Sequence, residues 1–204
     1  GVRRDLPKGW IDKAYRTMDY LEGRLETYNQ LLFDNAIFQK RAQGVGIIPK
    51  DKAIEWGVVG APLRGTGIKH DVRIDEPYEA YDKIDFVVPT FEGGDVWARA
   101  MVRREEIKQS IHIVRQALDH LPGGSYYNRI PNPMKWTVPA GEAWIKTESV
   151  RGEVGFYIAS DGSNKPRRVH LKGAAYTHGV TVLEKILPGE NIACLLYTSP
   201  SPRD

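Results

Sequence analysis

Two arginines and a histidine lie within ten residues in the segment 64–73, whose sequence is RGTGIKHDVR. An arginine guanidinium can bind a carboxylate through two parallel hydrogen bonds, which suits Arg64 and Arg73. His70 adds an imidazole, the side chain that proteins most often use for proton transfer and pH sensing. The closely spaced Gly65 and Gly67 allow positive φ and close approach of the backbone to a partner. This segment is therefore the first candidate for a functional site.

Other patterns with chemical meaning give weaker signals. The pairs Gly44/Gly46 and Gly65/Gly67 do not continue as GxGxxG between a strand and a helix, so no dinucleotide site is expected. The histidines lack the spacings of metal sites. We predict that they are solvated or cap helices; they are His70, His112, His120, His170 and His178.

The composition disfavours several classes of protein. The chain has 29 Lys and Arg against 26 Asp and Glu, and these charges are interspersed, so no basic stripe for nucleic acid is present. No stretch approaches the ~18 consecutive apolar residues of a membrane span. The only cysteine is Cys194, so the residues before it hold no disulfide and no thiolate metal site.

Two further groups of charges have ordinary structural interpretations. Residues 103–106 (RREE) on a predicted helix are more often a solvated face than an interface network, and exposed pairs stabilise by only ~0–1 kcal/mol. Residues 151–153 (RGE) are interpreted first as a turn with a surface ion pair, and second as a contact to a neighbouring subunit. Lys165 to Arg168 form a basic edge that protects an exposed strand.

Five segments carry a shared pattern: RGTGIKHDVR (64–73), PYEAYD (77–82), GGDVWAR (93–99), RREEIKQS (103–110), and RGEVGFY (151–157) with SDG (160–162). In order and spacing they resemble one family, the 49-kDa-type subunit (the D subunit) of NADH:quinone oxidoreductase, respiratory complex I. The resemblance runs from Gly1 to about Ala193.

The resemblance implies a fold similar to the large subunit of nickel–iron hydrogenases, with a quinone cavity in place of the metal site. In this family electrons reach quinone (such as ubiquinone) from the terminal iron–sulfur cluster of a neighbouring subunit, and the complex couples this electron transport to proton translocation. The NAD site and the iron–sulfur clusters belong to other subunits. The expected partners are the iron–sulfur subunit and the 30-kDa-type subunit. The complex lies at the cytoplasmic side of the bacterial inner membrane, or its organelle equivalent.

Two interpretations of the segment 64–73 stay open. The resemblance favours a loop at the quinone cavity or at the face towards the iron–sulfur subunit. The candidates are Arg64, Gly65, Gly67, His70, Asp71 and Arg73. The alternative is a buried turn held by an Asp71–Arg73 network. We expect an interface rather than direct catalysis, because the family's quinone-headgroup Tyr and His lie upstream of Gly1.

Two other functions remain as alternatives. The first is the catalytic large subunit of a membrane-bound nickel–iron hydrogenase, which needs two pairs of cysteine thiolates for nickel. Both pairs would fall outside this stretch, so flanking sequence would discriminate the two functions. The second alternative is a non-catalytic docking module.

Both ends of the chain look unlike natural termini. Residues 1–7 (GVRRDLP) resemble an internal segment of the family. Residues 194–204 (CLLYTSPSPRD) resemble translated sequencing adapter and are excluded from fold reasoning. We therefore expect a partial domain over residues 1–193, truncated at both ends and inactive by itself, followed by a non-native tail.

Apolar periodicity predicts the elements that position these residues. A long helix is expected from Gly9 to about Gln43 with a break at Asp34-Asn35, and a second from Gly93 to about His120, capped by Asp95. Their predicted buried stripes are Ile11, Ala14, Met18, Leu21, Leu25, Tyr28 and Leu32, and Ile107, Ile111, Val114, Leu118 and Leu121. A short helix is predicted for 49–56, loop geometry for 57–67, and a strand for 81–89.

The second half predicts a small sheet. Strands are expected at 143–150, 152–159 and 166–172, joined as an antiparallel meander, and a short helix follows at 177–187. Residues 125–141 are expected to be irregular because of their prolines. The class is α+β, with long packed helices and a small antiparallel sheet. Residues 172–178 (KGAAYTH) lack the family's proline, which puts the local backbone there in question.

Overall fold

The computed structural model describes residues 4–127, 132 and 136–190. The proposed tail, 194–204, lies outside these residues, as does part of the predicted irregular segment 125–141. The described residues of that segment before Gly141 form no helix or strand.

Helices occupy most of the first 120 residues and the end of the described chain. In order they are α1 (Trp10–Tyr28), a π-helical turn (Asn29–Phe33), α2 (Ala36–Ala42), α3 (Lys50–Glu55), α4 (Gly60–Arg64), α5 (Val72–Asp75), a 3₁₀ turn (Tyr81–Lys83), α6 (Val96–Asp119), α7 (Ala174–Thr177), a second π-helical turn (His178–Val182) and α8 (Leu183–Ile186). The predicted break at Asp34-Asn35 is confirmed, because the Asn35 side chain caps α2 by accepting from Ile37 N–H and Phe38 N–H.

The sheet is the predicted antiparallel meander. It contains β1 (Gly141–Ser149), β2 (Gly152–Ser160) and β3 (Pro166–Lys172), in the spatial order β1-β2-β3. The register places Glu148 opposite Glu153 across β1 and β2. Successive side chains alternate between faces, so these two carboxylates lie on one face of the sheet. That face lies against the segment around α5, which contacts β1.

The apolar core lies between α3, α4 and the C-terminal helical segment 174–186. Its buried members are Ile48, Ala53, Val58, Leu63, Val182, Leu183 and Ile186. The start of α6 joins this region because Asp95 caps α6 through Ala98 N–H at 2.7 Å and also accepts Gly44 N–H at 2.9 Å. The elements before the segment 64–73 and the start of α6 after it are therefore both anchored in this region.

The predicted buried stripes of the two long helices are wrong for most of their members. Leu25 and Ile111 are buried, but Ile11, Leu21 and Ile107 remain 39%, 36% and 41% exposed. Their periodicity is correct, since these residues share helical faces. The described part of the chain supplies no element that covers those faces fully.

The predicted strand at 81–89 is also wrong. Phe86 and Val88 are buried while Asp85 and Val87 are exposed, so the predicted alternation itself is present. No neighbouring strand pairs with this segment within the described sheet. Instead, glutamine side chains of α6 accept hydrogen bonds from the backbone of this segment. Asp85 N–H donates to Gln116 Oε1 at 2.9 Å, and Val87 N–H donates to Gln109 Oε1 at 3.0 Å.

The predicted loop geometry of residues 57–67 needs correction as well. Positive φ occurs at Gly57, Gly60 and Gly67, as the glycines suggest. Between them, however, Gly60–Arg64 forms the helical turn α4, whose residues are all buried. The turn fits because Gly60 approaches the backbone of Gly152 closely.

Expressed alone, this chain should aggregate or fold without a cooperative transition. The half-exposed apolar faces of α1 and α6 are the reason, because exposed apolar patches above a few hundred Å² favour association. Size-exclusion chromatography and calorimetry of the isolated chain test this. A monomer with one cooperative thermal transition would contradict the prediction.

Candidate functional site

Arg64 lies at the end of α4 and is the centre of a buried ionic network. Its exposed fraction is only 3%. Its Nε donates to Glu106 Oε1 at 2.7 Å, and its Nη1 and Nη2 donate to Glu148 Oε1 at 3.2 and 3.1 Å. Nη1 also donates to the carbonyl of His70 at 3.0 Å and lies 3.5 Å from Asp71 Oδ2. One guanidinium thus joins α4, α6, β1 and the loop before α5.

Asp71 and Arg73 form the second part of this network. Arg73 donates from Nε and Nη2 to the two oxygens of Asp71 at 2.9 and 2.7 Å. The same carboxylate caps α5 by accepting Arg73 N–H at 3.0 Å. Burial alone would raise the pKa of Asp71, but the hydrogen bonds and charges of Arg73 and Arg64 hold it below its usual value. Arg73 also stacks over Phe86, 4.8 Å from the ring centroid.

Glu148 is the member of this network whose protonation is perturbed near physiological pH. Arg64 and Arg73 contact three carboxylates here, and the charge of Arg103 also acts on Glu106 and Arg64. Burial is the main cause that raises the pKa of Glu148 to about 6, and Arg64 opposes that rise. Glu148 N–H donates to the hydroxyl of Tyr78 at 3.1 Å, which fixes the strand beside the carboxylate.

Glu148 should make folding stability depend on pH between about 4.5 and about 6. Its folded pKa is raised, so its contribution is present below the unfolded value of 4.5 and is lost as the pH rises through about 6. The lost free energy of unfolding is about 2 kcal/mol. His178 acts oppositely, because burial lowers its pKa to about 4 and its contribution is lost as the pH falls.

The test compares the full-length protein with its Glu148→Gln variant. The free energy of unfolding of each protein is measured from pH 4.5 to pH 7. The variant should gain stability relative to its parent as the pH rises, because only the parent loses the Glu148 contribution. Parallel pH profiles for the two proteins would refute the role of Glu148.

His70 connects the buried network to a second, more exposed ionic cluster. Its Nδ1 lies 2.6 Å from Asp75 and its Nε2 lies 3.4 Å from Glu153. Lys172 and Lys146 lie 3.5 and 3.8 Å from Glu153. Glu153 is only 7% exposed, so the interpretation of residues 151–153 as a turn with a surface ion pair is wrong for this carboxylate.

The two glycines of the segment have different roles. Gly67 has φ of +83°, a conformation that favours glycine, whereas Gly65 has an ordinary helical φ of −68°. At Gly65 a Cβ would lie 3.2 Å from Cγ of Arg99, so the lack of a side chain matters there for close packing. Gly67 lies beside Lys50 and Glu92.

An open groove of about 320 Å³ runs beside this part of the segment. It is lined by Lys50, Thr66, Glu92 and the backbone around Gly94, together with Ile47 and Ile48. Its volume is at the lower end for small-molecule sites. The groove offers one cation, one carboxylate and a short apolar wall to a partner or ligand.

His178 is a functional candidate whose environment differs from the prediction. Instead of being solvated or capping a helix, it is 5% exposed and accepts the Val59 N–H at 3.2 Å through Nε2. In residues 4–127 and 136–190 no group of three or more His, Cys, Asp and Glu could hold a metal ion. Across the same residues, no helix combines the length and apolarity that a membrane crossing requires.

The sequence does not single out the main partners of Arg64. The prediction of a solvated face is wrong for Glu106, and Glu148 belongs to no distinguishing pattern. They lie 42 and 84 residues from Arg64 along the chain. Only the Asp71–Arg73 pair, two residues apart, was among the interpretations that the sequence left open. The structure thus brings Arg64, Asp71 and Arg73 together, leaves His70 at their edge, and places Gly67 by the groove.

The fold and the site together define a class of protein. The α+β arrangement, with long helices beside a three-stranded sheet, is that of the large-subunit fold shared with nickel–iron hydrogenases. The site is a charge network among α4, α6 and β1, in the place that the family-like segments mark. The described residues therefore have the fold of this large-subunit class.

Comparison with known proteins identifies the family. The family model described as the respiratory-chain NADH dehydrogenase 49-kDa subunit matches residues 1–136 and 132–201. The chain belongs to this family. The D subunit of NADH-quinone oxidoreductase from Bacillus cytotoxicus is 43% identical over 197 residues, 96% of this chain and 53% of that protein. The D subunit from Geobacillus kaustophilus is 42% identical over 194 residues, 95% of this chain and 52% of that protein.

A solved structure shows the same relationship in three dimensions. A chain of the membrane-bound sulfane sulfur reductase, an archaeal respiratory membrane complex, matches with a TM-score of 0.91 and 39% identity. The match covers 99% of this chain and 57% of that chain. The predicted family and fold class are confirmed, and the chain spans about half the length of the curated relatives that it matches.

Proposed function

We propose that this chain is part of the quinone-site subunit in the peripheral arm of a proton-pumping NADH:quinone oxidoreductase. The observation that carries the proposal is family membership along the chain, with identity above 40% to the D subunits of two bacteria. The full protein would pass electrons from an iron–sulfur cluster of a neighbouring subunit to quinone. The NAD site and the clusters would belong to other subunits.

The segment 64–73 supports this function by positioning rather than by chemistry. Arg64 and Asp71 are buried in ion pairs, so they hold the loop and do not reach a ligand. Gly67 and the partly exposed His70 lie at the outer edge of the same loop. That edge and the groove beside Thr66 form the surface that faces the quinone cavity or the iron–sulfur subunit.

The proposed location is peripheral, at the cytoplasmic side of a bacterial inner membrane or the organelle equivalent. The proposed partners are the iron–sulfur subunit that carries the terminal cluster and the 30-kDa-type subunit. The piece 1–193 should be inactive alone, since the chain spans about half the length of the D subunits that it matches. Residues 194–204 are proposed to be non-native; the family match extends to residue 201, and sequencing the intact gene will test the proposal.

A complementation experiment tests the function. A full-length gene that contains this sequence is placed in a bacterium that lacks its own 49-kDa-type subunit. Restored NADH-driven quinone reduction by isolated membranes is the expected result. An assembled complex without quinone reductase activity would refute the proposal.

The same strain separates the alternative functions. Hydrogen-dependent dye reduction, with cysteine pairs in the flanking sequence, would indicate the hydrogenase large subunit. Sulfane sulfur reduction, the activity for which the archaeal relative is named, is assayed in parallel. Assembly without any of the three activities would indicate a docking module.

A further inference from the structure

A small, partly open pocket lies where the start of α6 meets α4 and the C-terminal helical segment. Its volume is about 10 Å³, room for about one particle of the size of a water molecule. Five apolar side chains line it, with two polar ones, Arg99 and His178. None of the functional residues discussed above except His178 belongs to it.

Arg99, which lines this pocket, carries a buried hydrogen-bond donor without a partner among the described residues. The side chain is 1% exposed, and its terminal nitrogens donate to the carbonyls of Gly94 at 2.6 Å and Gly46 at 2.9 Å. Among the described residues, its Nε is the one buried side-chain nitrogen or oxygen without a hydrogen-bond partner. Buried polar groups in native proteins are nearly always hydrogen-bonded, so this donor requires an acceptor.

The charge around Arg99 favours an electron-rich ligand. Among the described residues no carboxylate is ion-paired with its guanidinium, and the negative charge of Asp95 acts on it less strongly than the positive charge of Arg103. The residue also occupies the first turn of α6, where the helix dipole is positive. Burial, followed by the charge of Arg103, lowers the pKa of Arg99 to about 10.

His178 cannot supply the missing negative charge. Its Nε2 accepts the Val59 N–H, so the neutral ring carries its proton on Nδ1. Burial, then the nearby Arg103 and Arg99, lowers its pKa to about 4, which keeps the ring neutral at physiological pH. The ring therefore contributes a second polar wall without a charge.

We propose that this cavity is a binding site for one small hydrogen-bond acceptor, a water molecule or a halide ion, held by the Nε–H of Arg99 beside His178. The bound particle joins α6 to the segment that carries His178. Because His178 binds Val59 at the start of α4, the same particle helps to fix the helical turn that carries Arg64. The site is structural and independent of which electron acceptor the complex uses.

A structure of the full-length protein in its assembled complex tests the site directly. At a resolution that shows ordered water, density should appear about 2.7–3.3 Å from Arg99 Nε. Crystals grown in bromide separate the two ligands, because only a bound halide gives an anomalous peak there. An empty cavity would overturn the proposal, and so would a carboxylate from elsewhere in the protein or from another subunit.

A variant gives an independent readout. Arg99→Lys keeps the charge but removes the Nε–H together with the donors to Gly94 and Gly46. Amide hydrogen exchange of residues 59–64, whose backbone does not bond to those two carbonyls, should accelerate in the complex by about tenfold. The exposed substitution Arg168→Lys is the control and should change nothing there. Unchanged exchange in Arg99→Lys would overturn the proposal. If that variant fails to assemble, the density in the parent protein still decides.

Discussion

Replacing Arg64 with alanine in the full-length protein should reduce assembled-complex yield and NADH-driven quinone reduction far more than replacing Arg168. Arg64 is buried and contacts Glu106, Glu148 and Asp71. Its removal leaves Glu148, whose side chain is 6% exposed, without its cation. Removing one partner of a buried ion pair costs ~3–5 kcal/mol, a large share of the stability of most domains.

Arg168 is the matched control because it is also an arginine but lies on the exposed strand β3. It contacts the ring of Tyr157 at 6.0 Å, and such exposed contacts stabilise by only ~0.5–1 kcal/mol. Both variants are measured in membranes, first for complex yield and then for quinone reduction per assembled complex. Equal losses would contradict the role of Arg64 as the centre of the buried network.

Arg64→Lys separates charge from geometry in the same experiment. Lysine keeps the positive charge but cannot donate from three positions to Glu106, Glu148 and the carbonyl of His70. An intermediate loss of yield is expected. A lysine variant as damaged as the alanine variant would show that the branched geometry of the guanidinium, rather than its charge, holds the network.

Replacing Gly60 with alanine should be the second most damaging change. Gly60 has φ of +67°, and a Cβ there would lie 2.5 Å from Cα of Gly152 and 2.6 Å from the carbonyl oxygen of Arg151. Both are backbone atoms, which cannot rotate away. Overpacking costs ~1–3 kcal/mol and the left-handed conformation ~1–2 kcal/mol more. Because Gly60 begins α4, the displacement would also move Arg64.

Gly23→Ala is the opposite control. Gly23 lies inside α1, and a Cβ there meets no atom within 4 Å. Alanine should therefore stabilise the helix by ~0.5–1 kcal/mol. Thermal midpoints of the full-length protein with either substitution give the comparison. A midpoint for Gly60→Ala that equals or exceeds that of Gly23→Ala would contradict the close contact of α4 with β2.

Local signals predict the elements whose causes lie within a few residues. The start of α6 follows from Asp95, which caps the helix through Ala98 N–H. The turn between β2 and β3 follows from Asp161 and Ser163, whose side chains bind the turn backbone. The break before α2 follows from Asn35 in the same way.

Patterns that need a distant partner are weaker predictors. The alternation in 84–88 is real, but a strand needs a neighbouring strand, and Gln109 and Gln116 of α6 bind that backbone instead. Periodicity identifies the apolar faces of α1 and α6 correctly as faces. Their burial depends on what packs against them, and periodicity carries no information about that.

By itself, the sequence determined the family, the α+β class and the meander, because each depends on neighbouring residues or on a long ordered match. It offered the Asp71–Arg73 pair as one of two interpretations of the segment 64–73. Tertiary structure alone decided that Glu106 and Glu148 surround Arg64 and that His178 binds Val59, 119 residues away. Isolated Glu and His residues give no sign of their partners. Their burial, and with it the perturbed pKa values of Glu148 and His178, arises only when α4, α6, β1 and the C-terminal segment pack together.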